Sequence, residues 1–165
     1  MPIIDKKHFN YRQSILNVEG VPLPEIANIV GTPFYIYSAT AIESNYNKFS
    51  AAVRKLNHSI SYAVKANSNI AILKQLGKLG AGMDIVSSGE YLRAKAAGIS
   101  GNKIVFSGVG KTREEINLVI EGGIKQFNVE SASELLVLNS IASSWKKIVP
   151  ICIRINPDID ARTHK

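Results

Sequence analysis

The sequence holds a single cysteine, Cys152, in 165 residues. That excludes an internal disulfide framework and any cluster of cysteines around a metal, so no metal is expected. No apolar run approaches the roughly 20 residues of a membrane span. The stretch from Met1 to Asn10 alternates apolar with charged and polar residues and lacks a signal-peptide pattern. A cytoplasmic location without a membrane partner is therefore expected. Bases outnumber acids by 20 to 13, for a formal charge of +7. The basic residues are scattered, however, and the longest basic runs are only Lys6-Lys7 and Lys146-Lys147. Neither run is interleaved with aromatics and no nucleic-acid motif is visible, which argues against nucleic acid as a partner.

What is present is ordinary for a globular domain. Hydrophobic residues make up 45% and charged residues 20%, and the length suffices for one core. Residues 1–30 read as irregular, with Pro22 and Pro24 interrupting the apolar run. Thr32 to Ser38 reads as a strand, and residues 39–56 carry apolar positions at helical spacing.

From residue 59 onward, short strands alternate with helices. Strands are predicted at 59–65, 82–87, 103–108, 126–131 and 148–156, and helices at 69–79, 88–97, 112–122 and 132–143. Ser87 with Glu90, Thr112 with Glu115 and Ser131 with Glu134 have the spacing of capping boxes. Such alternation implies parallel strands joined by helical crossovers. A glycine-rich turn after the first strand would mark a doubly wound nucleotide fold, but Ala66-Asn67-Ser68-Asn69 contains no glycine. The even period instead predicts an α/β fold of TIM type, with five strands of a barrel that needs eight for closure.

Alternation along each strand separates two faces. Ile60, Tyr62, Val64, Met83, Ile85, Ile104, Phe106, Phe127, Val129, Ile151, Ile153 and Ile155 fall on the side expected to meet the helices. The other side carries Lys65, Asp84, Ser107, Asn128, Glu130, Arg154 and Asn156. Barrel interiors are usually apolar, and active sites lie at the C-terminal ends of the strands, where these ionic groups fall. Two readings stay open from the residues alone. The charges either satisfy one another as an architectural network, or they hold a ligand. Lys65 likewise either reaches back to solvent or serves as a Schiff-base lysine.

Five segments together carry a resemblance. They are Gly31-Thr32-Pro33-Phe34-Tyr35-Ile36-Tyr37, Tyr62-Ala63-Val64-Lys65-Ala66-Asn67, Gly82 to Glu90, Asn128-Val129-Glu130-Ser131 and Arg154-Ile155-Asn156-Pro157-Asp158. The combination resembles the fold type III pyridoxal-phosphate decarboxylases from about residue 20 onward. The tail from Asn156 to Lys165 is most similar to those members that convert meso-2,6-diaminopimelate to L-lysine and carbon dioxide. Ornithine and arginine decarboxylases share the lysine motif but resemble the tail less. Other enzymes of the fold, such as amino-acid racemases, or a non-catalytic cofactor-binding protein, are the alternatives.

The resemblance implies that Lys65 carries pyridoxal 5'-phosphate and is catalytic, and that Asp84 and Arg154 line the cofactor cavity. Glu90 matches an acidic position of the family and is equally well read as a partner of Ser87. The resemblance further implies that residues 1–38 contribute to a second β domain and that residues 39–165 begin a truncated cofactor-binding barrel. By the same resemblance the full-length enzyme acts on an amino acid and forms a homodimer. The remaining pocket residues are expected beyond Lys165, which leaves the segment alone inactive. Cys152 does not match the family's catalytic cysteine and is expected to be a buried barrel residue.

Overall fold

The structure, a computed structural model, describes residues 7–159. The chain forms two compact units, one ending at His58 and the other starting at Ser59. In the first, β1 (Phe9–Arg12), β2 (Ile15–Val18) and β3 (Val21–Pro22) form an antiparallel sheet in that order. Arg12 pairs with Ile15 and Val18 with Val21, so each connection is a two-residue hairpin loop. Gln13, Ser14, Glu19 and Gly20 all have positive φ, as such tight loops require. This stretch is therefore ordered, contrary to the expectation of an irregular start.

The first unit continues with α1 (Leu23–Val30) and α2 (Ala39–Val53). Pro24 sits in the first turn of α1, where a missing N–H costs nothing, so it begins the helix. The predicted strand at 32–38 is absent. Its backbone belongs to neither sheet, and Tyr35 is 91% exposed. Gly31 and Pro33 bound the run as they would bound a strand, but a strand needs a neighbour to bond. Ser38 caps α2 by accepting from the Ala41 N–H. Glu19 Oε1 accepts from the Ser38 hydroxyl at 2.6 Å and from the Thr40 N–H and hydroxyl at 2.9 Å each, tying the second hairpin loop to this helix start.

In the second unit the strand–helix repeat is as the sequence predicts. It runs β4 (Ser61–Ala63), α3 (Ile70–Lys78), β5 (Gly82–Ile85), α4 (Ser88–Ala96), β6 (Ile104–Phe106), α5 (Arg113–Gly122), β7 (Gln126–Val129), α6 (Ala132–Ser144) and β8 (Ile151–Ile153). The five strands are parallel and lie side by side in chain order. Among the described residues β4 and β8 are the two edges, and the barrel is not closed.

The two faces divide as expected through β7. Met83, Ile85, Ile104, Phe106 and Phe127 are fully buried and Val129 nearly so. Phe106 and Phe127 stack at a tilt with centroids 5.6 Å apart. Each large apolar side chain so buried contributes about 1.5–3 kcal/mol relative to exposure. β8 departs from the expectation. Ile151 and Ile153 are 42% and 65% exposed, and Cys152 is exposed, not buried. An edge strand has a neighbour on one side only, and no described helix covers its outer flank.

Candidate functional site

Register places the polar face on one surface. Ala63 pairs with Asp84, Asp84 with Val105, Val105 with Gln126, and Asn128 with Cys152. Partners in a parallel sheet project to the same side, so Asp84, Ser107, Asn128 and Arg154 share it. Ser107 donates its hydroxyl to Asp84 Oδ1 at 2.5 Å and accepts from Asn128 Nδ2 at 2.9 Å. Gln126 Nε2 then donates to Asn128 Oδ1 at 2.9 Å. A hydrogen-bonded row thus crosses from β5 to β7 and spends one Asp84 oxygen on a neutral partner.

Arg154 stands just beyond β8, level with Glu130 beyond β7. Its Nη1 donates to Glu130 Oε2 at 3.0 Å, while Glu130 Oε1 accepts from the Gly108 N–H at 2.8 Å. The carboxylate is 8% exposed and the guanidinium 64%. One side of Arg154 is therefore anchored and the other left open to a ligand.

Lys65 is not the strand residue the alternation made it. β4 ends at Ala63, and Val64–Ala66 form a single 3-10 turn. Val64 points into the core and is fully buried, while Lys65 is exposed. It makes no hydrogen bond or ion pair with any described residue. The turn still leaves the amine at the C-terminal end of the first strand of the sheet. The structure therefore brings Arg154 and Glu130 into contact and joins Asp84 to Ser107, but it does not bond Lys65 to Asp84 or Arg154.

The helix starts around this rim are built from carboxylates. Only Thr112 and Glu115 close a reciprocal capping box. Glu90 and Glu134 reach one residue further back, to the N–H of Val86 at 2.7 Å and of Glu130 at 3.2 Å. Glu115 spans two helix starts, accepting from Ser88 N–H at 2.8 Å and Thr112 N–H at 3.0 Å. Burial pushes its carboxyl up, but these N–H groups and the hydroxyls of both residues outweigh burial and hold it below the ordinary range.

Sequence reasoning missed Lys111. Its ammonium bonds Gly108 O at 2.6 Å, Asn128 O at 2.8 Å and Glu134 Oε1 at 2.7 Å, with the side chain 0% exposed. These partners are 3, 17 and 23 residues away, and no local pattern signals them.

An unpartnered amine and a half-exposed guanidinium, on the same rim as a carboxylate, suit a ligand that has both a carbonyl carbon and anionic oxygens. The family profile described as "Pyridoxal-dependent decarboxylase, pyridoxal binding domain" matches residues 39–165. The chain belongs to this family. It is 50% identical over 157 residues to a diaminopimelate decarboxylase of Pseudomonas fluorescens, covering 94% of this chain and 38% of the relative. The crystal structure of diaminopimelate decarboxylase from M. jannaschii in complex with L-lysine superposes with a TM-score of 0.89 at 36% identity. That match covers 98% of this chain and 39% of the other. The Helicobacter pylori enzyme, also complexed with L-lysine, gives a TM-score of 0.83 at 44% identity, over 86% of this chain and 36% of that one. The chain thus spans under two-fifths of the relatives' length. Residues 160–165, part of the tail on which the resemblance was narrowed, lie outside the described residues.

Proposed function

We propose that the complete protein decarboxylates meso-2,6-diaminopimelate to L-lysine with pyridoxal phosphate held on Lys65. The observation that carries this reading is the free, exposed Lys65 amine at the C-terminal end of β4, on the rim that also bears Asp84, Glu130 and Arg154. The relatives named diaminopimelate decarboxylase support the substrate, as do two solved ones holding L-lysine, the proposed product.

The residues fit the cofactor by their donor chemistry. Lys65 Nζ offers a primary amine to an aldehyde, Arg154 offers an open guanidinium edge to an anionic oxygen, and Asp84 offers its second carboxylate oxygen as an acceptor. When bound, pyridoxal phosphate supplies an electron sink for the pair left behind as the carboxylate departs. In balance, the substrate loses one carboxyl carbon as carbon dioxide and gains one proton at the carbon that carried it. Lys65 would hold and orient the cofactor, its amine having no partner among the described residues. The Asp84–Ser107–Asn128 row holds the floor of the site in one arrangement, so little reorganisation accompanies binding.

Residues 1–38 are read as contributing to a second β domain in the complete protein and residues 39–165 as the start of the cofactor barrel. The family resemblance suggests a homodimer, and a cytoplasmic location is proposed from the sequence pattern of the N-terminus. Among the described residues no helix is long and apolar enough to cross a membrane. The 165-residue segment alone is read as inactive, because among the described residues the sheet that bears Lys65 does not close on itself.

The test is made on the full-length protein. Carbon dioxide release is measured with diaminopimelate, ornithine and arginine, alongside the visible absorbance of lysine-bound cofactor, before and after Lys65→Ala. Turnover of diaminopimelate alone, lost with the absorbance in the variant, is the expected result. Preference for ornithine or arginine would overturn the substrate, and activity surviving Lys65→Ala would overturn the site.

A further inference from the structure

Lys111 is a charged side chain with no exposure, and the chemistry above does not use it. Its three ammonium protons have three acceptors: Gly108 O, Asn128 O and Glu134 Oε1. The circuit continues from there. Glu134 Oε2 accepts from the Glu130 N–H at 3.2 Å, and Glu130 Oε1 accepts from the Gly108 N–H at 2.8 Å. Gly108 is thus gripped at both its carbonyl and its N–H, and the loop leaving β6 is locked to the loop leaving β7. The Lys111 ammonium also lies 5.6 Å from the centroid of the buried Phe106 ring, which closes the cluster from beneath. The second oxygen of Glu130 links the circuit to Arg154, whose side chain is 64% exposed.

A buried ion pair is a poor way to gain stability, since apolar side chains of similar volume do as well or better. What the ammonium provides and a methyl group cannot is a fixed direction for three carbonyl and carboxylate oxygens. We propose that Lys111 is a positioning residue for the cofactor site. It locks the Gly108 loop, whose N–H holds the Glu130 carboxylate, and through Glu134 it holds the Glu130 N–H, so that Glu130 aims the open edge of Arg154 at an anionic oxygen of pyridoxal phosphate. The inference rests on the reading of this rim as the cofactor site.

The test uses the full-length protein stripped of cofactor and titrated with pyridoxal phosphate, followed by the visible absorbance of the lysine-bound form. Lys111→Met, Arg154→Met and the double variant are compared, with the exposed Lys95→Met as a control. Lys111→Met is expected to fold and to bind cofactor about tenfold more weakly, the scale of a lost supporting contact. The double variant should bind little worse than Arg154→Met alone, because both substitutions remove the same contact. Should Lys111→Met not fold, Glu134→Gln keeps the size of the side chain, removes one acceptor oxygen, and should weaken cofactor in the same direction. Unchanged affinity in a folded Lys111→Met, or in Glu134→Gln if that variant is needed, would overturn the proposal. So would losses from Lys111→Met and Arg154→Met that simply multiply. If the unsubstituted protein binds no cofactor, the reading of the site fails first, and that outcome is distinct from a variant that binds as well as its parent.

Discussion

Glu130 and Arg154 form an ion pair whose two ends sit in different surroundings. The Glu130 side chain is 8% exposed and takes a second bond from Gly108, whereas the Arg154 side chain is 64% exposed and, among the described residues, bonds Glu130 alone. Breaking the pair from either end should therefore have unequal effects on the fold.

Glu130→Ala strands the Gly108 N–H and is expected to cost about 1–3 kcal/mol, the penalty for a buried donor left without a partner. Arg154→Met removes a solvent-screened partner and should cost under about 1 kcal/mol. Urea unfolding of the complete cofactor-free protein measures both. Equal losses would contradict the asymmetry.

Glu115 predicts an acid-sensitive term in stability. Its carboxyl is held below the ordinary value in the folded state, with burial opposing and the N–H groups of Ser88 and Thr112 prevailing. The folded protein therefore binds that proton less readily than the unfolded chain. The stabilisation is present at neutral pH and is lost as pH falls below about 4.5, the ordinary value, through the folded one. Glu115→Gln should be less stable than the parent at pH 7 by under about 1 kcal/mol, since solvent screens much of the interaction, and the gap to the parent should close in acid. Glu19, lowered first by the Ser38 hydroxyl and then by the Thr40 N–H and hydroxyl, adds a contribution of the same sign. Denaturation curves at several pH values would show it, and a gap that widened in acid would contradict the assignment.

Gly122 ends α5 against the Tyr91 hydroxyl, which donates to Gly123 O at 3.3 Å. A Cβ at residue 122 would collide with that hydroxyl and crowd the ring carbon beside it. Tyr91 is 2% exposed and has nowhere to swing. Gly122→Ala is expected to destabilise by about 1–3 kcal/mol. Combining it with Tyr91→Phe, which removes the clashing oxygen, should recover part of the loss. Thermal melts of the single and double variants provide the comparison, and strictly additive losses would place the strain elsewhere.

The strand–helix repeat was legible because parallel strands buried under helices carry continuous apolar faces, and helix starts announce themselves with Ser or Thr and a Glu three residues on. The hairpins at 9–22 were not. Their loops use Gln13-Ser14 and Glu19-Gly20 where positive φ is required, and only the last of these residues is a usual signal. Among the proposed site residues, alternation puts Asp84 and Arg154 on one face and the register agrees with that placement, while their cofactor role rests on the resemblance. For Lys65 the alternation failed, because the strand stops at Ala63 and a turn carries the lysine on. Lys111 was beyond reach. A lysine in a Gly-Lys-Thr loop looks solvated until the fold supplies a carbonyl from the next strand and a carboxylate from the helix after it.

Sheet order equal to chain order has a bearing on how the molecule comes into being on a ribosome. Every strand from β5 to β8 joins an edge that the preceding strand has already formed, so growth from the N-terminal side never has to wait for a distant segment. The Lys111 circuit draws only on residues from Gly108 to Glu134, so all of its parts precede Arg154 along the chain. Arg154 is the last cation of the rim in chain order, and the carboxylate it meets is one whose other oxygen is already committed to Gly108.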